Sequence, residues 1–374
     1  MKNFEKLVEL PPDPLFGVQK AFEEDPNPNK VNLSVGTYKT EELQPYILPS
    51  VKLAERYLLE NENSKDYLPI TGLPKYVEAT KKLVFENIQA PLFGAQTVGG
   101  TSALRLAANF LIKAGFTVIY LSDPTWGNHP HIFKEAGFEI RRYDYFAGLE
   151  PFAKMEEGAA VLLQPSCHNP TGCDYSNDQW NELATLLEKR NLFPLFDMAY
   201  QGFGVGIDED AAVLRKFAKE NRPMMAAISH SKNFGLYRER VGALFMNHPD
   251  VKRLHSQLGM TIRGLYSNPP AHGAQIVAHI LSTAALTDQW MKEVEKMRTR
   301  ISSMRSQLVQ QLPGLQFMLD QRGMFSFTRL TPDQVMRLRE QFGIYMTRDG
   351  RINVAGLNQK NVGYVSKAIL SLDA

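Results

Sequence analysis

Long apolar runs are missing from this chain of 374 residues. No stretch approaches the ~20 residues that a membrane helix needs, so no membrane partner is expected. Charge of one sign is missing too. Lys and Arg number 42 against 40 Asp and Glu, a net charge of +2, which sets up no field to gather nucleic acid or an anionic surface. Cysteine is scarce: Cys167 and Cys173 are too few for a disulfide framework and read as free thiols in a reducing compartment. The pair His129-x-His131 lacks further ligands at metal spacing, so no metal site is expected. The opening residues, Met1-Lys2-Asn3-Phe4-Glu5-Lys6-Leu7, hold an acid and no apolar core, which argues against a signal peptide. Internal repeats, low-complexity segments and charge runs are absent as well. The expectation is a soluble cytoplasmic protein of two or three domains at ~150 residues each.

The residues that are present gather at strand ends. Met224-Met225-Ala226-Ala227-Ile228 has the pattern of a short buried strand. It delivers Ser229-His230-Ser231-Lys232-Asn233-Phe234-Gly235-Leu236-Tyr237-Arg238-Glu239-Arg240-Val241-Gly242 to the place where open α/β sheets bind ligands. A lysine held there is a nucleophile toward carbonyl groups once the site lowers its pKa. Arg240, eight positions on (240−232), can hold an anion of the same ligand. Farther back, Gly99-Gly100-Thr101 opens a helical pattern, where free amides and the positive dipole end favour a phosphate. The third glycine and the acid of a dinucleotide fingerprint are missing.

Other strand ends follow the same plan. Thr117–Leu121 leads to Trp126, bracketed by Pro124 and Gly127, a platform for a flat ring. Ala159–Gln164 leads to the turn Asn169-Pro170-Thr171-Gly172. Leu192–Phe196 leads to Asp197 and Tyr200, and an acid at the end of an apolar strand is costly unless paired. Lys30–Tyr38 reads as a strand that breaks at Gly36, a residue that lets backbone approach a ligand. Helices are expected over Val51–Asn61, Trp180–Arg190 and Asp288–Leu312, the last with Met297, Ile301, Met304 and Leu308 on one face. Gly323–Phe327 and Asp349–Gly356 read as strands of a smaller domain. Met1–Pro14, ending in Pro11-Pro12-Asp13-Pro14, reads as an extended arm.

The Ser229–Gly242 string resembles the pyridoxal-phosphate lysine segment of the aspartate aminotransferase family. Asn32-Leu33-x-x-Gly36-x-Tyr38, Asn169-Pro170-Thr171-Gly172 and Arg263-Gly264-Leu265-Tyr266-Ser267-Asn268-Pro269-Pro270 repeat further family motifs in the family's order. The resemblance implies an α/β, fold type I pyridoxal-phosphate-dependent transferase. Its large α/β/α domain, 41–289, would hold a mixed seven-stranded sheet; a smaller α+β domain would combine 15–40 with 290–374, behind an arm at 1–14.

It also implies roles for single residues. Lys232 would form the internal aldimine with pyridoxal 5'-phosphate and carry the catalytic proton. Gly100, Thr101, Ser229 and Arg240 would hold the phosphate, with Tyr67 reaching it from the neighbouring subunit of a homodimer. Trp126 would cover the pyridine ring with His129 behind it, Asn169 and Tyr200 would donate to the phenolic oxygen, and Asp197 would pair with the ring nitrogen. For the substrate, Gly36, Trp126 and Asn169 would line the pocket. Arg351 would hold the α-carboxylate, and Arg263 the side-chain carboxylate from across the dimer interface. The implied reaction is ping-pong exchange between L-aspartate and 2-oxoglutarate, giving oxaloacetate and L-glutamate. Partners are small amino acids and 2-oxo acids. Thr37, Lys39, Asp66, Thr101 and Asn268 stand closer to the aspartate-preferring branch. The alternatives are an aromatic aminotransferase of dual specificity, a pyridoxal-phosphate lyase and a non-catalytic binding protein.

Overall fold

Segments such as Met224–Ser229 and Val241–Asn247 are apolar at nearly every position, the pattern of strands covered on both faces. In the computed structural model, which describes residues 4–9 and 14–372, both are buried from end to end. The strands in chain order are β1 (Val31–Asn32), β2 (Leu92–Val98), β3 (Val118–Asp123), β4 (Glu139–Asp144), β5 (Ala160–Leu163) and β6 (Phe193–Met198). They continue as β7 (Met224–Ser229), β8 (Val241–Asn247), β9 (Phe325–Phe327), β10 (Ile344–Tyr345) and β11 (Arg351–Asn353). One sheet has the order β2-β8-β7-β6-β5-β3-β4. β8 is antiparallel to both neighbours and the other pairings are parallel, so the expected mixed seven-stranded sheet is present.

Side chains alternate across a strand, and the core divides accordingly. Ala226 and Ile228 of β7 join one apolar cluster, with Tyr76, Phe85 and Ile276 from the helices Pro74–Phe85 and His272–Ser282. Met225 and Ala227 join the other, with Leu104, Ala107 and Ile262 from the helices Gly99–Lys113 and Val251–Leu265. The parallel arrangement sends the carboxyl ends of β3, β5, β6 and β7 to one edge. The motifs that follow these four strands therefore open at that edge.

Both ends of the chain build the remainder. β1 pairs with β10 in parallel and β9 with β11 antiparallel, with Phe327 opposite Arg351. A single helix, Ala284–Gln310, buries Trp290, Val294, Met297, Ile301, Met304 and Leu308 along one stripe, as the spacing predicts, although it starts four residues earlier than expected (288−284). Lys30–Tyr38 is corrected: only Val31 and Asn32 are strand. Beyond them, the Asn353 Nδ2 donates to the carbonyls of Val35 and Thr37, so a side chain replaces the ladder.

The helix expected at Trp180 starts at Asn177, behind a capping box of Ser176 and Gln179. That box satisfies amides the helix cannot. The arm is corrected in part. Phe4–Lys6 forms a 3-10 turn and Pro14 opens the helix Pro14–Glu24, where a first-turn proline loses nothing; Pro11, Pro12 and Asp13 lie outside the described residues. Cys167 is buried, Cys173 half-buried, and both are free thiols. Among the described residues no helix is long and apolar enough to cross a membrane.

Candidate active site

At that sheet edge lies a cavity of about 230 Å³ lined by Gly36, Gly100, Thr101, Trp126, Asn169, Asp197, Tyr200, Ser229, Lys232, Arg240 and Arg351, among others. It holds every expected site residue except Tyr67 and Arg263. Its walls come from four strand ends, one helix start and the two chain-end segments.

One end suits an anion. Gly99 has φ +75°, and a Cβ there would sit 2.6 Å from Arg240 Nη2; a Cβ on Gly100 would sit 2.9 Å from that of Ser229. Both positions require glycine because backbone, hydroxyl and guanidinium converge there. Behind them the helix Gly99–Lys113 opens its first turn, whose amides have no partner in the helix. Arg240, itself at φ +55°, is steadied by donating from Nη1 to the Tyr237 carbonyl at 2.9 Å. Ser229 Oγ lies 3.2 Å from Ser231 Oγ.

A chain of hydrogen bonds backs the middle of the cavity. Asp197, 8% exposed, takes a hydrogen bond at Oδ2 from Nε2 of the fully buried His129 at 3.0 Å. The other ring nitrogen, Nδ1, meets Thr125 Oγ1 at 2.7 Å. With Asp197 ionised, this network assigns the proton to Nε2 and lets Nδ1 accept from the hydroxyl. Trp126 stands edge-on to His129 at 5.2 Å. The half-buried Lys232 places Nζ 5.0 Å from the centre of the Tyr200 ring. Burial pulls its pKa down to about 8, Asp197 opposes that shift, and Arg240 and Arg351 add to it.

The far end suits a carboxylate. Arg351, 6% exposed, donates from Nη2 to the Ser34 carbonyl at 3.0 Å and from Nη1 to Asn169 Oδ1 at 3.4 Å. Its guanidinium lies 4.3 Å from the Phe325 ring centre, and its Nε has no partner. Burial holds its pKa below the usual arginine value, though a guanidinium keeps its charge. Asn169 Nδ2 donates to the Tyr200 hydroxyl at 3.3 Å. Gly36 packs closely here: a Cβ there would lie 3.1 Å from the tip of the Phe325 ring, which would have to give by a few tenths of an ångström.

Two expected residues stay outside. Tyr67 is 92% exposed, and Arg263 is exposed, donating from Nη1 to Ser267 Oγ at 3.1 Å. Their segments touch, because Asn268 Nδ2 donates to the Leu68 carbonyl at 2.9 Å. Sequence reading also missed contributors. It put His129 behind Trp126 without pairing it to Asp197, and passed over Thr125, Ser34, Gln164, Ser231 and Phe325. Thr125 and His129, four apart, were legible as a pair; Phe325 looks like any strand aromatic.

The chain has relatives along its whole length. The family model described as aminotransferase class I and II matches residues 28–369. An aspartate aminotransferase of Salmonella typhi is 44% identical over 99% of this chain and 100% of its own length. Among solved structures, an aromatic-amino-acid aminotransferase from Burkholderia pseudomallei, covalently bound to pyridoxal phosphate, superposes with a TM-score of 0.96 at 40% identity, covering 100% of both chains. An aromatic amino acid aminotransferase from Psychrobacter sp. B6, cocrystallised with aspartic acid, has a TM-score of 0.94 at 38% identity over 99% of each chain. The chain belongs to the class I and II aminotransferase family.

Proposed function

We propose that this chain is an aspartate aminotransferase that carries pyridoxal 5'-phosphate on Lys232 and moves the amino group between L-aspartate and 2-oxoglutarate. The observation that carries the reading is one cavity in which a pKa-lowered lysine stands between an anion cradle and a buried arginine. The residues fit the cofactor: glycines 99 and 100 leave the space that a Cβ would fill beside Arg240 and Ser229, and Asp197 offers a buried carboxylate opposite His129. When bound, the cofactor supplies a conjugated cationic ring that withdraws electrons from the substrate α-carbon.

The chain's own groups do the rest. Gly100, Thr101, Ser229 and Arg240 would hold the phosphate; Trp126 would cover the ring; Asp197 would keep the ring nitrogen protonated. Tyr200 and Asn169 would hydrogen-bond the phenolic oxygen. Lys232 Nζ would take the proton from the substrate α-carbon and hold it as an ammonium for return. Arg351 grips the α-carboxylate, its unpartnered Nε completing the fork a carboxylate accepts, while Gly36 and Phe325 shape the pocket.

We propose further that two copies share their sites, Tyr67 and Arg263 serving the site of the other subunit. Support comes from their exposure and from the Asn268–Leu68 bond that holds their segments together. The proposed domains are 15–40 with 290–374, and 41–289; the helix Ala284–Gln310 runs through the junction. Free thiols at Cys167 and Cys173 fit a cytoplasmic setting.

The depressed Lys232 pKa has a measurable consequence. In protein stripped of cofactor, the neutral amine is the attacking form. A pKa near 8 leaves about a tenth of it neutral at pH 7, against roughly three parts in ten thousand for an ordinary lysine. The rate of pyridoxal phosphate attachment, followed by absorbance, rises with pH and levels off above about 8. A rise continuing to pH 10 contradicts the low value.

The functional test is a half-reaction. Loaded protein is mixed with aspartate or phenylalanine alone, and the cofactor band is followed. Fast conversion by aspartate and slow conversion by phenylalanine is expected, and Arg263→Ala removes the aspartate advantage by roughly 30-fold or more, the loss of a desolvated charge pair. Comparable rates with both donors move the protein to the dual-specificity reading, which the Psychrobacter relative favours. No conversion with either removes the aminotransferase reading.

A further inference from the structure

Gln164 follows β5 and is 9% exposed in the wall of the cavity. Both ends of its carboxamide are used on one residue. Nε2 donates to the Asn169 carbonyl at 3.2 Å, and Oε1 accepts from the Asn169 backbone N–H at 2.9 Å. Such a pair acts as a single rung of a sheet ladder, holding the peptide groups on either side of Asn169 Cα. The turn is held from its other side by Asp174, whose carboxylate accepts from the N–H groups of Cys167 and His168 at 2.8 and 2.9 Å.

With its backbone satisfied, Asn169 turns its side chain to the cavity. There it makes two long contacts, Nδ2 to the Tyr200 hydroxyl at 3.3 Å and Oδ1 from Arg351 Nη1 at 3.4 Å. Both lie beyond the usual 2.7–3.2 Å range, so a small rotation of Asn169 makes or breaks them. The titratable and charged groups around Asn169 in the cavity are Asp197 in β6 and Tyr200 after it, Lys232 and Arg240 after β7, and Arg351 from β11. Gln164 hydrogen-bonds none of these; its bonds go to Asn169 alone.

We infer that Gln164 is a positioning residue for Asn169: it would aim Nδ2 at the phenolic oxygen of the bound cofactor and so lower the pH at which the lysine-bound chromophore loses its proton. The inference rests on the cavity being the pyridoxal-phosphate site. A donor aimed at that oxygen stabilises its deprotonated form, so misaiming it raises the pH at which the bound chromophore changes colour.

The test is a spectral pH titration of the loaded, substrate-free protein, which reads the chromophore and not turnover. Gln164→Leu, similar in volume but with no hydrogen bond, is expected to raise the midpoint by about 0.7 pH unit, the worth of one neutral hydrogen bond. Gln164→Met, also uncharged and without a hydrogen bond to either side of Asn169, is expected to shift the midpoint the same way, and it carries the test if the Leu variant does not fold. Asn169→Ala is expected to raise the midpoint by itself, and adding Gln164→Leu to it to do nothing more, because the two act as one unit. An unmoved midpoint in the folded, loaded Gln164 variants overturns the inference, as does an equal shift in the Asn169→Ala background. A protein that takes up no cofactor, by contrast, sinks the functional reading itself.

Discussion

Lys232→Ala yields a folded protein that has lost turnover by a factor on the order of 10²–10⁴ or more, the contribution of a positioned general acid-base group. The loss is larger than proton transfer alone accounts for, because the same amine is the proposed point of cofactor attachment. Folding is expected to survive. Lys232 is pulled away from its ordinary pKa by burial, so the folded protein carries the cost of desolvating that charge. Its removal leaves the melting temperature unchanged or raised. Turnover with aspartate and 2-oxoglutarate, the cofactor absorbance and a thermal melt check all three statements. Normal turnover in this variant refutes the assignment of Lys232.

Arg351→Leu is expected to lower kcat/KM by roughly 30-fold to several thousand-fold for both amino acid and oxo acid, the 2–5 kcal/mol attached to a desolvated, hydrogen-bonded charge pair. Most of the loss lies in KM, since the carboxylate is gripped before and during reaction alike. Arg351→Lys recovers little, because a point cation cannot supply two parallel donors to a carboxylate. Cofactor affinity is the internal control. Arg351 stands against Ser34 and Phe325, whereas the anion cradle is built from Gly99, Gly100, Ser229 and Arg240. Pyridoxal phosphate therefore binds the variant nearly as before. An unchanged KM alongside weakened cofactor binding reverses the two ends of the cavity and the roles given to them.

Much of this was legible without coordinates, for a local reason. Strands buried on both faces write themselves as apolar runs, and their ends are marked by polar and turn residues a few positions on. Lys232, Asp197, Asn169 and Trp126 could therefore be placed at strand ends one by one. The glycines at 99 and 100 announced an anion site by the same local logic. Helix starts were less exact where the cap lay outside the helix's own sequence. Pro49–Asn61 has Leu48 at its N-cap, with no side chain to cap it. Instead Glu293, from the helix Ala284–Gln310, accepts from the Ser50 N–H at 3.1 Å and its hydroxyl at 2.5 Å. The carboxylate meets the helix's free amides and positive end from 243 positions away (293−50).

Local sequence suffices for the groups available, the α/β class, and the strand ends that carry most of the site. Their pairings come from the three-dimensional arrangement alone. His129 meets Asp197 across 68 positions, and Arg351 reaches the Ser34 carbonyl across 317. These contacts depend on how the sheet orders its strands and how the chain ends fold back over its edge, which no local propensity encodes. The same holds for the lowered pKa of Lys232, a product of burial among groups from distant segments. It holds for Gln164 as well, an unremarkable residue until the turn after β5 brings Asn169 back against it.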